Sequence, residues 1–155
     1  MRFKKKKAES RTFQGRVIVP GELTVEAVVT HNGFNTLASM QLMSIQPKTR
    51  CNDQSNPDLY NKILQNKALC LPQTIGSTTG GMFLYSAVKA GKAPACLLFS
   101  LDIDSLAAAG AVLSQVWAPE TPMPTIDRLG DDFLNYVEDG DKVTIHTDGT
   151  VVVEK

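Results

Sequence analysis

The residues best suited to chemistry form one short run, Gly76-Ser77-Thr78-Thr79-Gly80-Gly81. It follows an apolar stretch, Ala68-Leu69-Cys70-Leu71-Pro72, and precedes a segment with helical character, Met82 to Ala90. A strand, a Gly/Ser/Thr loop and a helix start, in that order, leave backbone N–H groups unpaired at the first helical turn. The helix dipole makes that spot favourable for negative charge. Such a pocket suits a carboxylate or phosphate, or a hydroxyl that must lose its proton. The run is not a P-loop, which needs Lys after its last glycine, and it is not GxGxxG. It also lacks the GxSxG nucleophile elbow. On pattern alone it reads as well as a tight strand-to-helix turn with Ser77 or Thr78 as the helix cap.

Few other residues compete for a chemical role. His31 lies beside Asn32-Gly33 at a strand end, and His146 lies in an alternating C-terminal segment. Two distant histidines without a cysteine or carboxylate cluster make no metal site. Asp131, Asp132, Glu138, Asp139 and Asp141 form an acidic patch that helix capping and solubility explain. The three cysteines, Cys51, Cys70 and Cys96, show no CxxC spacing. Cys70 and Cys96 sit in apolar runs and read as small core residues, whereas Cys51 sits in a polar loop that would expose it. No disulfide framework is implied, which fits a reducing cytoplasm.

The loop must be held by its neighbours. Residues 11–30 read as two strands joined at Pro20-Gly21, with Leu23, Val25, Ala27 and Val29 alternating in period two. Residues 31–57 are irregular, with Met40 to Ile45 a short strand or turn, and Asp58 to Gln65 gives one or two helical turns. Ala68 to Leu71 is a strand, and the helix after the loop ends at Gly91. Ala95 to Ser100 is an apolar strand, and Asp104 or Ser105 caps a second helix, Leu106 to Val116. Thr125-Ile126-Asp127 makes a short strand and Gly130 to Tyr136 a short helix. Lys142 to Thr147, Asp148-Gly149 and Thr150 to Glu154 make a hairpin. The centre is a parallel βαβ unit. The expected class is therefore a layered α/β domain with a mixed sheet and antiparallel hairpins at both ends.

Composition sets the outer bounds. The chain has 155 residues, 43% hydrophobic and 21% charged, enough for one domain with a real core. Net charge is zero, yet five basic residues fall within positions 2–7. Residues 1–10 thus read as a disordered basic tail, and the domain as residues 11–155. The start lacks the apolar stretch of a secretory signal, and no run approaches the roughly 20 residues that span a bilayer. The body is acidic and carries no basic stripe, which argues against nucleic acid as a partner. A soluble cytoplasmic protein without membrane association is expected.

The order of these segments resembles the small swivelling domain of aconitase X proteins. Gly15-Arg16-Val17-Ile18-Val19-Pro20-Gly21-Glu22 is similar to that domain's opening strand. Asn66-Lys67-Ala68-Leu69-Cys70-Leu71-Pro72, then Gly76-Ser77-Thr78-Thr79-Gly80, resembles its second strand and serine loop. Lys92-Ala93-Pro94-Ala95, Leu106-Ala107-Ala108-Ala109-Gly110-Ala111 and Asp139-Gly140-Asp141-Lys142-Val143 match its later segments. The resemblance runs from about residue 13 to 154. It implies a swivelling β/β/α fold like the mobile last domain of aconitases. It implies a small subunit that binds no cofactor itself, paired with a large subunit carrying an iron or iron–sulfur centre. Activities in the family are dehydration of cis-3-hydroxy-L-proline and of (R)-5-phosphomevalonate. By the same resemblance Ser77 would be the catalytic base, and Gly76, Thr78, Thr79 and Gly80 would hold the small hydroxy-acid substrate.

Two positions depart from the family pattern. Ile75 stands where relatives usually carry Arg, and Gly81 where they usually carry Ser. Both changes remove polar groups that would hold substrate. The stretch 31–57 departs as well. Two other readings therefore stay open: a non-catalytic module of the same fold that binds an anion or a partner, and a free-standing hydrolase with Ser77 as nucleophile and His31 as base.

Overall fold

Two apolar cores share one sheet, and the alternation along the parallel strands shows why. The computed structural model describes residues 9–155. The basic cluster at positions 2–7 lies outside the described residues. Ten strands and four helices run in the order β1 Ser10–Gln14, β2 Arg16–Val19, β3 Leu23–Val29, β4 Phe34–Asn35, α1 Thr36–Met40, β5 Ala68–Leu71, β6 Thr74–Ile75, α2 Gly80–Lys89, β7 Cys96–Phe99, α3 Ser105–Trp117, β8 Thr125–Asp127, α4 Asp131–Tyr136, β9 Lys142–Ile145 and β10 Thr150–Glu154. The strand at Ser10 moves the edge of the domain inside the stretch read as tail, and Lys155 N–H donates to the Glu9 carbonyl at 2.9 Å.

The main sheet has eight strands in the order β1-β10-β9-β3-β5-β7-β8-β2. Its centre, β3-β5-β7-β8, is parallel, and its flanks are antiparallel. The expected mixed α/β class and its parallel centre are observed. β1 and β2 occupy opposite ends of this order, yet only Gly15 separates them in sequence. The sheet must therefore curl until its two edges meet, as a barrel does.

On β5, Leu69 and Leu71 point to one core, while Ala68 and Cys70 point to the other. On β7, Leu97 and Phe99 divide from Cys96 and Leu98 in the same way. Both faces of these strands are covered, so they read as unbroken apolar runs. The first core lies under α1, α2 and α3. The second includes Phe13, Phe133, Val143, Val151 and Val153 and is joined by α4.

The expected N-terminal hairpin is not present. β2 pairs with β8, and β3 lies between β9 and β5. Gly21 does not take the positive φ that a tight Pro-Gly turn requires, so the chain passes from β2 to β3 without pairing them. The C-terminal hairpin does form. Gly149 takes φ +88° and donates to the His146 carbonyl at 3.1 Å, a turn closed by a glycine in the left-handed region.

The stretch 31–57 is packed in place. Met40 closes α1, which starts where Asn35 Oδ1 accepts the Ala38 N–H at 3.1 Å, and residues 41–45 are turns, the second of the two readings offered for Met40 to Ile45. Residues 58–65 form turns with one bridge, Arg50 to Ile63, and not a helix. Met40, Met43, Cys51, Leu59 and Leu64 all enter the first core. Cys51 is thus buried, against the expectation of exposure, and burial pushes its thiol pKa up.

Candidate functional site

A two-stranded sheet, outside the main one, carries the loop. β4 and β6 pair in parallel, Phe34 opposite Thr74 and Asn35 opposite Ile75. This sets the start of α1 beside residues 76–77. Gly76 takes φ +97°, and a Cβ there would lie 2.6 Å from Asn35 Nδ2. Only glycine meets both conditions. The chain then turns sharply, and Gly80 N–H donates to the Ser77 carbonyl at 3.0 Å.

Helix α2 is capped one residue beyond Thr78 and two beyond Ser77, the caps expected from sequence. Its N-cap is Thr79, whose side chain makes no capping bond. Ser77 Oγ supplies an acceptor instead, taking the Thr79 N–H at 3.2 Å and lying 2.8 Å from Thr79 Oγ1. The next N–H groups, of Gly81 and Met82, find no acceptor among the described residues. The Ser77 oxygen therefore lies at the positive end of a ten-residue helix. It is exposed to solvent.

Thr36, Thr74, Gly76, Ser77, Gly80 and Asp104 help line a cleft of about 180 Å³. Asp104 is tightly engaged. It accepts from the Thr74 hydroxyl, from Thr74 N–H at 3.3 Å and from Ala107 N–H at 3.0 Å, where it caps α3. One carboxylate thus fixes β6 relative to α3 and keeps the cleft walls together. Sequence reading placed Asp104 as a helix cap and missed its place in the cleft. The Asp104-Ser105 cap signal, one strand after the loop, was the available clue.

The loop residues divide. Gly76, Ser77 and Gly80 line the cleft, and Thr79 bonds Ser77. Thr78 lines a separate groove between α2 and α3. Gly81 proves to be a packing residue. A Cβ on it would lie 2.4 Å from the Leu106 carbonyl oxygen, and one on Gly110 would lie 2.5 Å from the Gly81 carbonyl oxygen. The two glycines let α2 and α3 touch backbone to backbone, so no side chain fits at 81. Ile75 is half exposed, with its branched end over Gly33.

His31 does not join this cleft. It lines a different hollow with Asp58, Lys62 and Asp139, and its own N–H donates to Asp58 at 2.8 Å. The Ser77 hydroxyl has Thr79, and no histidine, as its partner. The serine–histidine hydrolase has no support in this arrangement. His146 sits at the C-terminal turn, 3.7 Å from Glu22. Among the described residues, no three His, Cys, Asp or Glu side chains gather as metal ligands. No helix among the described residues is long and apolar enough to cross a membrane.

Comparison with known proteins agrees with this geometry. The family model described as the aconitase X swivel domain matches residues 12–153. The phosphomevalonate dehydratase small subunit of Methanosarcina mazei is 28% identical over 86% of this chain and 84% of its own. The protein of the same name from Methanocella arvoryzae is 29% identical over 89% and 93%. The crystal structure of Thermococcus kodakaraensis aconitase X superposes with a TM-score of 0.79 at 23% identity, covering 94% of this chain and 99% of that one. That last likeness establishes the swivel-type fold.

Proposed function

We infer the function from one premise: the chain belongs to the aconitase X swivel domain family. It is the small subunit of a two-subunit hydro-lyase, acting in the cytoplasm and inactive without its large subunit. The names of its curated relatives support a phosphomevalonate-like hydroxy acid as substrate. The observation that carries the reading is Ser77 Oγ, an oxygen at a helix N-terminus that already accepts an N–H.

Removing a proton beside a carboxylate needs a strong base, and a free serine hydroxyl is far too weak an acid to supply one at neutral pH. An alkoxide on Ser77 gains from the Thr79 N–H, the Thr79 hydroxyl and the open first turn of α2. In the isolated chain water competes for that oxygen. A large subunit closing over the loop excludes the water and strengthens each of these contacts. Gly76 and Gly80 keep the approach to Ser77 free of side chains, while the Thr79 hydroxyl is directed at Ser77 itself and Thr78 lies in the separate groove between α2 and α3. The cleft is lined by one carboxylate and no cation. Anionic groups of the substrate are then held by the large subunit, as is the iron or iron–sulfur centre, which supplies Lewis-acid chemistry when bound.

The test is co-expression with an aconitase X-type large subunit and a dehydration assay with (R)-5-phosphomevalonate and cis-3-hydroxy-L-proline. Ser77→Ala should leave the complex intact and lower kcat by about a thousandfold or more, the scale of losing both a base and its electrostatic support. A fully active Ser77→Ala complex would remove Ser77 from the mechanism.

A further inference from the structure

The helix α3 has two apolar faces, and only one of them is used inside this chain. Ala107, Gly110, Ala111 and Ser114 are buried against the first core and α2. Leu106, Ala109, Leu113, Val116 and Trp117 form a second stripe, at spacings of three, four and seven, and all are exposed. The helix Ser105–Trp117 carries no charged residue.

Leu106, Ala109, Leu113 and Trp117 of this stripe line a groove of about 290 Å³ between α2 and α3, and Val116 continues the same helix face beside them. Met82, 72% exposed, forms part of its other wall. Tyr85 and Trp117 meet edge to face near one end, with centroids 5.6 Å apart. Trp117 is 57% exposed and Val116 64%. Large aromatic and aliphatic side chains with a hydrated boundary have the makeup of an interface centre. Lys89, the last residue of α2, pairs with Glu120 at 3.2 Å, and neither lines the groove.

We propose that this groove is the docking surface for the large subunit. The inference rests on the function proposed above. Continuity argues for that occupant over a second copy: Leu106 lines both the groove and the Ser77 cleft. Thr78, next to Ser77, lies in the groove wall. A partner that closes over Ser77 therefore meets the stripe on α3 in the same approach. Its contact surface is apolar, because the groove offers no charge to pair.

Two substitutions test the surface in the full chain with its large subunit. Leu113→Asp and Val116→Glu each place a charge on exposed positions of α3, so the fold of the free chain should be kept, as a circular-dichroism melt checks. Each should weaken assembly roughly a hundredfold, since a buried, unpaired charge is costly. Gln115→Glu, on the opposite face of the same helix, should leave assembly unchanged. Trp117 is the chain's single tryptophan. Fluorotryptophan incorporated in this chain alone should lose its solvent-isotope shift in the 19F spectrum on assembly. Normal assembly by both charged variants would overturn the docking surface. So would self-association of the chain that Val116→Glu abolishes while large-subunit binding persists. Neither result touches Ser77, whose role stands or falls on the Ser77→Ala activity.

Discussion

At the scale of single residues, the site depends on groups that never meet a substrate. Ser77 owes its place to Gly76, Thr79 and, through β6, to Asp104. A buried carboxylate does similar work beyond the cleft. Asp127 is fully buried and takes a bidentate hydrogen bond from Arg16, at 2.9 and 2.6 Å, plus the Ile103 N–H at 2.8 Å. Burial opposes its charge, but the Arg16 and Ile103 hydrogen bonds and the charges of Arg16 and Arg128 outweigh it. Its pKa falls below the ordinary carboxylate value. A lowered folded-state pKa means stability that is present above the unfolded value, about 3.9, and lost as pH falls through the folded one. Asp127→Asn should cost about 1–3 kcal/mol at neutral pH, because its buried NH2 group would face N–H donors where a carboxylate oxygen now accepts them. The wild type should then lose more stability than the variant between about pH 5 and about pH 2. Urea titrations of both chains across that range measure the difference; parallel curves would assign the pair no pH-linked role.

At the scale of elements, what sequence reading reached depended on whether a segment's signal was local. The second helix was legible from the Asp104 cap, and Asp104 Oδ2 does accept the Ala107 N–H. β5 and β7 were legible as apolar runs. The Asp148-Gly149 turn was legible because its glycine pairs the strands on either side. Pro20-Gly21 carries an equally local turn signal, but β3 takes its partners from residues 68–70 and 142–145, which no window around residue 20 contains. The β4–β6 pair was illegible for the same reason, with two residues on each side. Gly81 shows a sharper limit. Its type reads as a missing polar group, while its position shows a helix crossing that leaves no room for one. Gly81→Ala should therefore destabilise the chain by about 1–3 kcal/mol, since the contact is backbone and cannot swing aside. Gly110→Ala should cost a similar amount, and the double variant less than the sum, because one separation of α2 from α3 relieves both. Thermal melts of the three variants decide this, and additive losses would refute a shared crossing.

At the scale of the whole molecule, the sheet's closure makes distant strands interdependent. β1 lies on one antiparallel flank with β10, and β2 on the other with β8, yet both hang on Gly15. Gly15 N–H donates to the Gly149 carbonyl at 3.0 Å, so the last turn of the chain is pinned at the same point. A Cβ on Gly15 would lie 2.4 Å from Ile126 Cγ2 and 2.6 Å from the Asp127 carbonyl oxygen. The closure thus presses directly on β8, on the strand that ends in Asp127. In an open sheet, disturbing one edge frays that edge alone, and the opposite edge keeps its protection. In a closed one both edges are the same stretch of chain. Gly15→Ala should lower stability by about 1–3 kcal/mol through this crowding. In native-state hydrogen exchange it should release the amides of β1 and β2 together, to the same extent. The amides of β5 and β7, central in the sheet and sealed on both faces, should follow only the fall in global stability. If β2 opens while β1 keeps its wild-type protection against β10, the two edges are independent and the sheet does not act as a closed unit.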